Sequence, residues 1–268
     1  MKKLIFTVFL ALPLLFASCS TVPITGRRQL DVIPDNQMLA MSFQQYNQFM
    51  ESHELSQDRE KTEMVRRVGN RIREGVDRYL SRNGMEGRLK DYRWEFNLVK
   101  SEEVNAWAMP GGKVVIYTGL LPVARNETGL AVVMGHEIAH AVAKHGDERL
   151  SQVLITQMGG MALSEALREA PEETRQLWLA VYGVGTQVGV LLPYSRTHES
   201  EADHLGLIFM AMAGYNPGEA VAFWERMLEK SGGQAPPEFL STHPAGETRI
   251  RNMKDLMPEA MKYYNRNK

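Results

Sequence analysis

The sequence is short of cysteine, of net charge and of long apolar runs, and each shortage excludes something. Cys19 is the single cysteine among 268 residues, so no intrachain disulfide staples the fold. Lys and Arg total 31 against 32 Asp and Glu, a formal net charge of −1. That balance gives no global attraction to polyanions, and no nucleic-acid partner is expected. The apolar run at residues 177–192 contains three glycines and is shorter than the ~20 residues that cross a bilayer. It reads as a buried or channel-lining helix. What remains, 44% hydrophobic and 24% charged residues, is ordinary globular composition.

The N-terminus carries the first positive signal. Lys2 and Lys3 precede an apolar stretch at residues 4–17, then Ala17, Ser18 and Cys19, the layout of an export signal. Leu15-Phe16-Ala17-Ser18-Cys19 resembles a bacterial lipobox, with Phe16 where leucine is usual. The resemblance implies lipidation at Cys19 and a membrane attachment through that anchor. With Ser20 following, it implies a periplasm-facing lipoprotein on the outer membrane of a Gram-negative bacterium. The expected organisation is a signal peptide over 1–18, a lipid-anchored tether over 19–34 and a single domain over 35–268.

Within that domain Asp35 and Asp58 stand as helix N-caps ahead of segments near 36–52 and 59–82, the latter with Val65, Val68, Ile72 and Val76 at helical spacing. Between Tyr92 and Tyr117 the pattern alternates and is β-branched, broken by Pro110-Gly111-Gly112, which predicts a small sheet with a tight turn. Helices follow at roughly 127–145, 149–190 with breaks, 194–213 and 217–230, and a shorter one after Pro244.

Gly135-His136-Glu137-Ile138-Ala139-His140 contains HExxH in an apolar helical segment. A helix turns about 100° per residue, so His136 and His140 share one face and two imidazoles can meet one tetrahedral Zn²⁺. Glu137 lies beside that face, where it can act as general base. Burying two imidazoles and a carboxylate without a metal or other partners would be costly. A catalytic zinc takes a third protein ligand and keeps one position open. Ala143 and Gly146 exclude the motif that would place a third histidine nearby, and His145 is read as a capping or surface residue. The best remaining segment is Ser195-Arg196-Thr197-His198-Glu199-Ser200-Glu201-Ala202-Asp203. Glu199 and Asp203 share a face there, one able to bind metal and the other to accept the far N–H of a ligating histidine. Glu201 points about 200° away and is the weaker candidate.

HExxH followed by ExxxD, the block HEIAHAVAKHGDER, SRTHESEADHLG, and Ser241-Thr242-His243-Pro244 with Arg249-Ile250 resemble the HtpX and CaaX-prenyl-protease family of gluzincin zinc peptidases across about residues 22–255. The lipobox and Thr25-Gly26-Arg27-Arg28-Gln29-Leu30 are similar to its periplasmic lipoprotein branch, the LoiP-, BepA- and Oma-like proteins. The resemblance implies an α+β, mainly helical zincin fold with a small sheet packed on the HExxH helix. It implies Glu199 as third ligand, Asp203 as its companion, and active-site roles for His243 and Arg249. His243 would occupy the open zinc position in a latent state or stabilise the oxyanion. Asn105 and Ala106 resemble the edge strand on which gluzincins lay out substrate. The implied function is a zinc-dependent metalloendopeptidase acting on unfolded or misassembled envelope polypeptides. The alternative is a zinc-containing chaperone or assembly factor with little proteolysis.

Overall fold

Val65, Val68, Ile72 and Val76 recur at helical spacing and are fully buried, which makes Arg59–Arg82 (α2) an amphipathic helix laid on a core. Its start is set by Asp58, whose side chain accepts from the Lys61 amide at 3.1 Å. Strands Glu95–Val99 (β3), Ala106–Met109 (β4) and Lys113–Tyr117 (β5) form one sheet in the order β3-β5-β4, parallel between β3 and β5 and antiparallel between β4 and β5. β4 is therefore an edge, as expected. The turn into β5 needs glycine, because Gly111 and Gly112 sit at φ of 88° and 83°, and a Cβ on either would strike the Phe43 or Trp94 ring.

The helix Glu127–Ala143 (α4), which carries HExxH, is buried nearly all round. Its last carbonyls are not left bare: Tyr92 Oη donates to the Ala141 carbonyl at 2.8 Å and Arg88 Nε to that of Val142 at 2.9 Å. Val99, Val115, Tyr117 and Tyr46, the last from Asp35–Ser52 (α1), make a cluster on the sheet, joined by Trp107 and Met109 from alternate positions of β4.

The computed structural model describes residues 19–187, 192–231, 237–244 and 246–265. The leader expected over 1–18 lies outside them. The chain divides into two compact units, one of residues up to 38 with 144–198, the other of 39–143 with 199–268. The second holds the sheet, α2 and α4. It also holds Leu121–Ala124 (α3) and most of Leu192–Met212 (α7), as well as Glu219–Ser231 (α8), Phe239–Thr242 (α9) and Glu247–Asn265 (α10). The helix after Pro244 is thus longer than its sequence suggested. The architecture is a mainly helical α+β fold.

The first unit departs most from expectation. Residues 19–34 are not simply an extended tether: Cys19–Thr21 (β1) and Arg28–Leu30 (β2) pair antiparallel, closed by a turn in which Ile24 and Gly26 take positive φ. His145–Ala166 (α5) and Glu172–Thr186 (α6) pack together, with Tyr182 Oη donating to the Thr156 carbonyl at 2.9 Å. α6 is not buried, since Leu177, Trp178, Val181 and Val184 are each more than half exposed. Among the described residues no helix is long and apolar enough to cross a membrane.

Candidate active site

The two histidines of α4 meet the acidic face of α7 because the helix backbones approach very closely. Gly135 of α4 lies against Gly206 of α7, so near that a Cβ on the first would be 2.9 Å from the carbonyl oxygen of the second. One turn along α7, the Asp203 carboxylate accepts from His136 Nδ1 at 2.9 Å. That bond fixes the ring and leaves Nε2 to face inward.

Four side chains converge there. His136 Nε2 is 3.1 Å from His140 Nε2 and 3.4 Å from Glu199, while His140 Nε2 is 3.3 Å from Glu199. His243, at the end of α9, brings Nδ1 to 3.2 Å from His136 Nε2 and 2.9 Å from Glu199. A tetrahedral zinc with bonds of ~2.0–2.1 Å sets its ligand atoms about 3.3 Å apart. The observed spacings match that edge length, so these residues fit zinc. Three imidazole nitrogens at such separations also call for a shared positive charge. Burial would pull His136 down, but its hydrogen bonds to Asp203 and Glu199 prevail and raise it to about 9. Burial likewise opposes ionisation of Glu199, yet hydrogen bonds from His136, His140 and His243 hold it far below the usual carboxylate range.

Glu137 is 3% exposed, and burial pushes its carboxyl up. Its Oε1 accepts from no donor among the described residues and lies 3.4 Å from His243 Nε2. The Ala108 backbone of edge strand β4 hydrogen bonds to the same carboxylate. Base and strand edge are therefore adjacent.

Arg249 joins the cluster from α10. Its guanidinium forks onto Asp203 with two bonds of 2.7 Å, reaches Glu199 at 3.2 Å and stacks 3.5 Å above the Trp224 ring. It braces the two carboxylates, Asp203 and Glu199. Asn105 precedes β4, and its side chain accepts from the Ala106 amide at 2.9 Å. Asn105 also lines a cleft with Glu102, Glu103, Val104, Lys230, Pro237 and Glu238. Ala106 itself is buried. Glu201 is buried too and is absent from the four converging residues. His145 is no surface residue: it is 3% exposed and stacks on His198 at 4.4 Å. Sequence reasoning missed Gly135, Gly206, Trp224 and Phe239, whose ring stacks on His243 at 4.6 Å. Glycines inside two helical patterns were the available sign of a close crossing.

Fold and cluster together match the architecture of the zincin class. The sequence profile of Peptidase family M48 matches residues 68–257, and the chain belongs to that family. It is 34% identical over 186 residues to the mitochondrial metalloendopeptidase OMA1 of Schizosaccharomyces pombe, covering 69% of this chain and 53% of that protein. Over 268 residues it is 31% identical to the mitochondrial metalloendopeptidase OMA1 of Bos taurus, covering 97% of this chain and 49% of the relative. It is also 31% identical over 170 residues to the β-barrel assembly-enhancing protease of Escherichia coli, covering 60% of this chain and 34% of that one. The chain thus spans about half the length of these two OMA1 relatives. The location read from the leader, the outer membrane of a Gram-negative bacterium, is corrected by these comparisons, because the OMA1 relatives of yeasts, a plant and animals are named as mitochondrial.

Proposed function

We propose that the chain is a zinc-dependent metalloendopeptidase in which His136, His140 and Glu199 hold the metal and Glu137 is the general base. The observation that carries this reading is the match between the donor spacings of 2.9–3.4 Å and the edges of a zinc tetrahedron. When bound, zinc supplies Lewis acidity toward the scissile carbonyl and acidifies water. Glu137, raised by burial and short of donors, is suited to take a proton from water and pass it to the leaving amine. Asp203 holds the His136 tautomer, and Arg249 holds Asp203 and Glu199.

His243 caps the cluster in the arrangement seen. In this reading it withdraws to admit substrate and then aids the tetrahedral oxyanion. β4 presents an edge next to Glu137, and an extended peptide adding to that edge would bring its carbonyl to the cluster. Unfolded or misassembled polypeptides suit such a site, because main-chain pairing needs an extended segment rather than a particular side chain. The names of the relatives, a metalloendopeptidase and an assembly-enhancing protease, fit a task in protein quality control.

The test is metal analysis of the purified chain together with casein hydrolysis, with and without chelator. Zinc near one per chain and chelator-sensitive cleavage are expected. A chain that takes up no zinc, or cleaves equally well without it, ends the reading.

A further inference from the structure

A second group of converging oxygens lies in the other unit, with no imidazole in it. Asp31 follows β2, Asp35 opens α1 and Asp147 lies in the first turn of α5. One carboxylate oxygen from each lies within 4.8 Å of the others. The backbone fixes this meeting. The Leu30 amide donates to Glu148 at 3.4 Å and the Val32 amide to Ser151 Oγ at 3.1 Å, so the residues on either side of Asp31 are stitched to the start of α5.

The charges do not balance. Lys144, just before α5, bonds to Asp35 and reaches the Oδ2 of Asp31 at 3.4 Å. Three carboxylates thus share one ammonium. Asp147 is 3% exposed, and its Oδ1 accepts from no donor among the described residues. Oδ1 of Asp31 is buried in the same condition. A buried carboxylate oxygen without a donor or cation carries a desolvation penalty, and burial accordingly pushes the Asp147 carboxyl up to about 7. The donors Arg27 and His198 are instead directed at Glu148, at 2.6 Å and 2.8 Å.

We propose that Asp31, Asp35 and Asp147 form a binding site for a hard divalent cation, calcium by its three-carboxylate donor set, that clamps the segment after β2 to the first turn of α5. An oxygen-only donor set suits calcium or magnesium and not zinc. Oxygens that all lie within 4.8 Å of one another can reach one calcium at ~2.3–2.6 Å in its flexible geometry, whereas magnesium gives up its waters reluctantly and usually takes only one or two carboxylates. Asp35 is exposed, so one side of the site is open for water ligands and for exchange. Lys144 can swing outward on its flexible stem when the cation enters.

The test uses the full chain with one equivalent of zinc present throughout, so that the active site does not compete, in buffer stripped of other divalent ions. Calcium is titrated calorimetrically and its effect on Tm is recorded. One calcium per chain is expected, with Kd on the order of 10⁻⁵–10⁻³ M and a Tm rise of roughly 4 °C or more at saturation. Magnesium at the same concentration is expected to give less than half that rise. Asp147→Asn and Asp31→Asn should abolish the shift, and Asp35→Asn, at an exposed position that does not threaten folding, should weaken calcium at least several-fold. No heat and no Tm change in the unmodified chain up to about 10 mM calcium would overturn the site, as would a full calcium response in Asp147→Asn. Neither result bears on the zinc reading, because the two sets share no residue.

Discussion

A Cβ built on Gly206 would lie 3.0 Å from the His136 amide nitrogen, and one built on Gly135 only 2.9 Å from the Gly206 carbonyl. The absence of two side chains is what lets α4 and α7 touch along their backbones, and that contact sets the distance between HExxH and Glu199. Gly→Ala inside a helix gains up to about 1 kcal/mol of propensity, whereas overpacking a tight contact costs about 1–3 kcal/mol. Here the neighbour is backbone and cannot rotate away, so the loss prevails. Gly206→Ala is expected to lower Tm by several degrees and to weaken zinc about tenfold or more. Calorimetry and metal stoichiometry check both, and an unchanged zinc affinity would mean that the crossing does not set the site.

Glu137→Gln keeps the size of the side chain and removes its basicity. Zinc content should stay near one per chain while casein cleavage falls by roughly 10²-fold or more. Retention of a cellular phenotype alongside that loss would shift the weight to the chaperone reading.

What the sequence disclosed and what it hid divide along physical lines. Local periodicity sufficed for α2, where Val65, Val68, Ile72 and Val76 repeat the helical period, and for the shared face of His136 and His140. The Gly111-Gly112 turn was equally local, because a positive φ favours glycine. The paired ribbon of residues 19–30 was not legible, since its turn places Ile24 at a φ of 70°, which no composition rule anticipates. The exposed apolar residues of α6 look like core in a sequence and are core only if something covers them. Arg249 shows the same limit at the site: its spacing along α10 says nothing of Asp203, 46 residues earlier, onto which it forks.

Asp203→Asn should cut zinc affinity by about 10–100-fold, because the amide can present its NH₂ to His136 Nδ1 and favour the wrong tautomer. It also strips the Arg249 guanidinium of the carboxylate that holds it in two bonds of 2.7 Å. Competition with a zinc chelator measures the change. Arg249→Lys should weaken zinc less, since an ammonium retains the charge but not the fork.

Glu148 makes stability depend on acid. Burial alone would raise its carboxyl, but hydrogen bonds from Arg27 and His198 outweigh that and take it from 4.5 to about 2. A carboxyl depressed on folding contributes stability that is present above its unfolded value and lost as pH falls through its folded one. The window is therefore pH 4.5 down to about 2, and the contribution there is on the order of 2–3 kcal/mol. In metal-free buffer Glu148→Gln should be clearly less stable than the unmodified chain at pH 6, with the gap closing as pH falls toward 2. Tm against pH is the measurement, and a gap that stays constant across that window would refute the linkage.

His243 separates a catalytic centre from a closed structural one. Its Nδ1 stands 2.9 Å from Glu199 and 3.2 Å from His136, while Nε2 is 3.4 Å from Glu137, so it touches ligands and base at once. If zinc rests on His136, His140 and Glu199 and His243 is a movable cap, His243→Ala leaves three protein ligands and the metal should remain. The lost donor should then show in turnover, with kcat down roughly 10²–10³-fold and KM little changed. If instead the zinc is tetrahedral and permanent, removing the fourth ligand should release metal and lower Tm together. Zinc content, kcat and Tm of that one variant, measured side by side, decide which of the two the cluster is.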